Sequence, residues 1–238
     1  AGQVDAGRLE AHLAQSTRDY LASVEPGELL LHLELIDELT TGDAPATLRW
    51  APAGGFERVW IAARDRSGLL SDLCGALSGA GWEIVGLSAT ARHDGIVLDR
   101  FAVVPPEGAP APVEREAALR EAVRRVLAAE VQPKDLISAR LRRQPAPPAV
   151  ATTGVRVRIS NEVDPELTLV DVTAPDRVGL LHALTCALSA TQLDIQLAKV
   201  ATKGERAVAV FHVRGPDGQV SAADRDGLMR VLGRAARG

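Results

Sequence analysis

The chain has 238 residues, 46% of them hydrophobic and 24% charged, with a formal net charge of −4. That length suits two domains of ordinary size, while the slightly acidic balance and only 3% aromatics argue against nucleic acid and anionic membrane surfaces as partners. No apolar run reaches the roughly 18–20 residues that span a bilayer, no signal segment opens the chain, and two distant cysteines make no disulfide framework, so a cytoplasmic protein is expected.

The first residue, Ala1, fits either a processed start or a piece of something longer. Residues 8–40 carry a helical pattern (Leu9, Leu13, then Leu29, Leu30, Leu33, Ile36) broken near Pro26-Gly27. Such an arm cannot bury its apolar stripe alone and must pack on a domain, a partner or an absent segment. Residues 41–55, rich in Gly, Pro, Ala and Thr, read as a connection. Val59 to Ala63 form a short buried strand pattern, and Asp65 to Gly68 a turn. Leu69, Leu70, Leu73, Ala76, Leu77 and Ala80 then recur at helical spacing, with Gly79 and Gly81 placed to end that helix. Two strands, near 84–91 and 96–104, join through the hairpin-like His93-Asp94-Gly95. Leu119, Ala122, Val123, Val126 and Leu127 mark a second helix, and 136–141 reads as a last strand.

The chain then repeats itself. Asp65-Arg66-Ser67-Gly68-Leu69-Leu70 returns as Asp176-Arg177-Val178-Gly179-Leu180-Leu181, at an offset of 111 (176 − 65). Leu73/Leu184, Ala76/Ala187, Leu77/Leu188, Ser78/Ser189 and Ile84/Ile195 keep that offset. Phe101/Phe211 then stand 110 apart, one residue having been lost in a turn. The second copy ends in a helix over 221–236 with no strand after it. Its missing edge strand is expected from upstream, where Val155 to Ile159 alternate. The fold class is therefore α+β, two ferredoxin-like βαββαβ sandwiches in tandem after an N-terminal helical arm. The divisions are 1–54 for arm and linker, 55–143 for domain one, 144–154 for a linker and 155–238 for domain two.

Chemistry is best placed at the turn between first strand and first helix. A helix N-terminus presents unpaired N–H groups and positive dipole to an anion, and a glycine there lets a backbone be approached. The candidate ligand-binding residues are Asp65, Arg66, Ser67, Gly68, Leu69 and Leu70 with Ile84 and Val85, and in the second copy Asp176, Arg177, Val178, Gly179, Leu180 and Leu181 with Asp194, Ile195 and Gln196. An equally simple account makes the glycines packing devices, the Asp residues caps and the Arg residues solvated charges. His93-Asp94 has the form of a metal-phosphohydrolase dipeptide but reads as a hairpin tip. Cys74 and Cys186 read as small core residues. No phosphate loop, nucleophile elbow or zinc cluster is found. No catalytic residue, metal or cofactor is expected.

Strand–Asp-Arg-x-Gly-Leu-Leu–helix in such a unit resembles the ACT family, whose members bind amino acids at domain–domain interfaces. Ser160-Asn161-Glu162, Thr168 to Val172, Asp176 to Leu181, Ala201 to Val208 and Val210 to Val213 are similar to the last domain of PII uridylyltransferase/uridylyl-removing enzymes. Cys74 to Leu77, Asp94-Gly95 and Leu98 to Phe101 are similar to the penultimate one, and the arm around Tyr20 to Leu35 to the end of the domain before it. Where that family commonly has Pro after Asp-Arg, Ser67 and Val178 stand here. The resemblance implies a C-terminal regulatory region sensing glutamine and controlling nitrogen-metabolism signalling, with no catalytic centre in this chain. Its expected partners are a small-molecule amino acid, the PII protein or separate catalytic domains, and a second copy in a homodimer through ACT pairing. The alternative is a free-standing tandem amino-acid-binding protein acting in trans on an enzyme or transcription factor.

Overall fold

A computed structural model describes residues 6–106, 108, 111–143 and 154–238. Most of the expected 144–154 linker thus lies outside the described residues. The arm is α1 (Ala6–Ala14), α2 (Arg18–Ser23), a 3-10 turn at Pro26–Glu28 and α3 (Leu29–Thr41). Unit one follows as β1 (Ala46–Pro52), β2 (Glu57–Arg64), α4 (Leu69–Gly79), β3 (Glu83–Ala91), β4 (Ile96–Val104), α5 (Pro112–Leu127) and α6 (Pro133–Arg143). Unit two is β5 (Arg156–Ser160), β6 (Thr168–Pro175), α7 (Leu180–Ala190), β7 (Asp194–Lys203), β8 (Arg206–Arg214) and α8 (Ala222–Arg237).

All eight strands form one antiparallel sheet ordered β1-β2-β4-β3-β7-β8-β6-β5. Each half has the ferredoxin-like strand arrangement, with the outer strand supplied from upstream. In unit two this is the expected substitution, with Val157 opposite Val172 and Ile159 opposite Val170.

Unit one uses the same device, which corrects two readings. Ala46–Pro52, inside the stretch taken for a connection, pairs along all of β2. Its flanking prolines disguised it, but Leu48 and Trp50 face the main core while the buried Thr47 hydroxyl donates to the Leu35 carbonyl at 2.8 Å. Residues 136–141 are accordingly helical. Pro133 opens α6, Asp135 sits in its first turn, and Arg140, Arg142 and Arg143 sit in its last, all matched to the helix dipole.

The halves join edge to edge, Gly86 to Thr90 of β3 opposite Leu197 to Ala201 of β7. This edge pairing joins the two units of one chain. One core runs beneath both halves, from Leu48, Ile61 and Phe101 to Val172, Phe211 and Leu232. The arm lies on the other face of unit one, where Tyr20, Leu35 and Leu39 cover Trp60, Ala62, Ile96 and Leu98. Cys74 is in the core as expected. Cys186 is exposed, whereas Gly75, its counterpart in unit one (186 − 111), is buried where Pro133 of α6 and His182 pack against it.

Candidate functional site

Gly68 and Gly179 cap α4 and α7 in the left-handed region, at φ +80° and +77°. That conformation favours glycine, a reason the sequence pattern did not disclose. Each corner is stitched to its own hairpin, Asp65 N–H donating to the Gly95 carbonyl and Asp176 N–H to the Glu205 carbonyl, both at 2.8 Å. The first N–H of each helix is used within the corner, Leu69 N–H donating to the Arg66 carbonyl and Leu180 N–H to the Arg177 carbonyl, both at 3.1 Å.

Each corner looks onto the opposite unit. Asp65 to Leu70 form a cleft of about 400 Å³ with Ser189, Gln192, Leu193, Asp194 and Ile195. Asp176 to Leu181 form one of about 160 Å³ with Ser78, Trp82, Glu83, Ile84 and Arg140. The candidate residues therefore assemble crosswise, because edge pairing of β3 with β7 brings each helix start to the other half. Val85 and Gln196 are absent from these linings. Each sits at the β-bulge of its strand, between Ile84 and Gly86 or Ile195 and Leu197, where the register slips. Ser78/Ser189 were visible only as duplicated positions, and Arg140 was hidden in a segment read as strand.

Electrostatics follow the same crossing. Burial and then the Asp194 charge raise the Asp65 carboxyl above its ordinary range. Burial also raises Asp176, with Glu83 adding to it against the Arg177 N–H, which donates to Asp176 Oδ1 at 2.9 Å. Each cleft so joins a helix N-terminus to two facing carboxylates, the complement of a small zwitterion. The arginines are occupied: Arg66 pairs with Asp72 at 2.5 Å, and Arg177 donates to the Ala235 carbonyl at 2.6 Å.

The clefts are unequal because α6 lies against only one. A Cβ on Gly179 would come within 3.2 Å of Ile137 Cγ2, whereas Gly68 has nothing within 4 Å. Arg140 fixes α6 there by donating to the Ser78 carbonyl at 2.7 Å. Gly68→Ala is expected to cost about 1–2 kcal/mol of backbone strain. Gly179→Ala should cost more, through the added Ile137 contact. Denaturant midpoints of the two variants check the order, which reversal would refute.

No family model matches the chain. The bifunctional uridylyltransferase/uridylyl-removing enzyme of Caulobacter vibrioides (strain NA1000 / CB15N) is 33% identical over 200 residues, 84% of this chain and 21% of that protein. The enzyme of the same description from Azospirillum brasilense is 31% identical over 214 residues, covering 88% and 23%. That of Bradyrhizobium diazoefficiens is 29% identical over 229 residues, covering 94% and 24%. Among solved structures, aspartate kinase from Synechocystis overlays with a TM-score of 0.35 at 14% identity, over 75% of this chain and 26% of that one. The chain spans about a fifth of the length of the relatives it matches.

Proposed function

The chain is related to bifunctional uridylyltransferase/uridylyl-removing enzymes over about a fifth of their length, and we propose that it is the C-terminal amino-acid-sensing unit of such a protein, with glutamine its ligand. The observation that carries this reading is the open cleft between the Gly68 corner and Asp194. A ligand carboxylate meets the positive end of the α4 dipole, and its ammonium lies between Asp65 and Asp194. The smaller cleft, narrowed by Ile137 and Arg140, is the weaker site or none. Since each cleft has one wall from each half, occupancy favours one relative setting of the halves. That differential affinity is what a neighbouring catalytic or PII-binding segment would read.

Calorimetric titration of the whole chain with glutamine and the other amino acids tests this. We expect one saturable site per chain. Asp194→Ala, at an exposed position, should weaken it by about tenfold or more, the loss of one charge-assisted contact. Ile137→Ala should strengthen or create a second site. Heat from no amino acid, or heat indifferent to Asp194→Ala, refutes the assignment.

A further inference from the structure

Where α4 packs on α7, Ser71 and His182 occupy equivalent places in the two copies (182 − 71 = 111). Across this seam the Ser71 Oγ lies 3.0 Å from Cys186 Sγ, and His182 Nδ1 lies 2.8 Å from the Ser71 carbonyl. A carbonyl can only accept, so Nδ1 carries a proton and the neutral ring keeps its lone pair on Nε2; Cys186 Sγ lies beside the ring, 3.7 Å from both nitrogens. Gly75 makes this possible, since a Cβ there would come within 2.9 Å of His182 Nδ1. An exposed thiol thus lies against an imidazole whose tautomer the Ser71 carbonyl sets.

We propose that Cys186 is a thiol–disulfide exchange site that takes small disulfides from solvent, with His182 as its base and Ser71 as its hydrogen-bond donor. His182 Nε2 accepts the thiol proton, and the Ser71 hydroxyl donates to the resulting thiolate. Sγ attacks one sulfur of the disulfide, the new S–S bond forms as the old one breaks, and the departing thiolate takes the proton back from Nε2. The surroundings favour the thiolate: the His182 contact lowers the Cys186 pKa, outweighing burial and the opposing charge of Asp72, and Ser71 adds to the lowering. Burial pulls the His182 imidazole down, but Cys186 and the Ser71 carbonyl leave it above its ordinary value. Cys74 is fully buried and its thiol is pushed far up by that burial, so it serves as an inert internal control. The assignment is independent of the amino-acid reading. Its product, a mixed disulfide, would wedge the seam between the two helices that carry the glycine corners.

The test is reaction of the intact, folded chain with 2,2′-dithiodipyridine from pH 5 to 9, followed by released thiopyridone. One thiol per chain should react at pH 7 at least about tenfold faster than a free cysteine, with a pH midpoint below the free-thiol value of about 8.5. Cys186→Ser should abolish that phase. His182→Gln should slow it by about tenfold and return the midpoint to the free-thiol range. Ser71→Ala, which keeps the backbone carbonyl that orients His182, should slow it less and decides the matter if His182→Gln does not fold. A native midpoint at or above that of free cysteine, or a rate unchanged in the folded variants, overturns the proposal.

Discussion

Asp99→Ala is expected to stabilise the protein at pH 8 and destabilise it at pH 4. Asp99 is 4% exposed, on the core side of β4, with no salt-bridge partner among the described residues. Burial, reinforced by Asp65, raises its pKa to about 8 against the opposing hydrogen bond at Thr90. Between about 3.8 and 8 the folded state therefore holds a proton that the unfolded state has released. Stability falls as pH rises through that window, at about 1.4 kcal/mol per pH unit at most. The equivalent position in unit two is Ala209 (99 + 110), so the fold accommodates alanine there. Removing the carboxyl should yield about 4 kcal/mol at pH 8, from about 5 kcal/mol of linkage less about 1 kcal/mol for the lost packing. At pH 4 the folded carboxyl is protonated and the unfolded one only about half ionised, so the linkage penalty falls below about 1 kcal/mol and the packing loss outweighs it. Denaturant titrations at the two pH values measure the difference, and a ΔΔG independent of pH would show that Asp99 is ionised in the fold.

The second large effect lies in the arm. Arg92, buried in β-hairpin backbone and paired with Asp94 at 2.6 Å, donates to His12 Nδ1 at 2.6 Å. With Nδ1 accepting, His12 Nε2 donates to the Tyr20 oxygen at 2.7 Å, and Tyr20 donates to His32 Nδ1 at 2.8 Å. This one-way chain requires both imidazoles neutral. Burial first, then Arg92, lowers His12 to about 4. Burial lowers His32 likewise to about 4, against the pull of Glu28 and with smaller pushes from His12, Arg100 and Arg92. Both folded pKa values lie below the unfolded 6.5, so this stability is present above pH 6.5 and lost as pH falls towards 4. The loss is up to about 3.5 kcal/mol per histidine, from 2.5 pKa units at about 1.4 each. Amide exchange across α1–α3 should accelerate over this window well before β2, β4 and β8 respond. An arm equally protected at pH 4.5 and 7 would rule the mechanism out.

His93-Asp94, whose form suggested a metal motif, belongs to this anchor. Asp94 neutralises Arg92, while the exposed His93 contributes its N–H to the Gln15 carbonyl at 2.9 Å. The dipeptide was legible as a hairpin tip, but its purpose was not, since His12 stands 80 residues from Arg92. The glycine corners were legible as paired positions. Their left-handed backbone and their unequal surroundings were not, because Ile137 reaches Gly179 only through a helix that the local pattern disguised.

What the sequence determined by itself was the copying, the strand–glycine–helix corners, the upstream edge strand of unit two and the need of the arm for a surface. These are features of period, offset and local backbone preference, and short-range sterics enforce them wherever the segment lies. Only the tertiary structure decided that each corner faces the other half, that α6 narrows one cleft, that Ala46–Pro52 closes the sheet and that Cys186 meets His182 and Ser71. Those outcomes depend on which edges pair and which helix faces are left to cover, a choice made by burial over the whole chain.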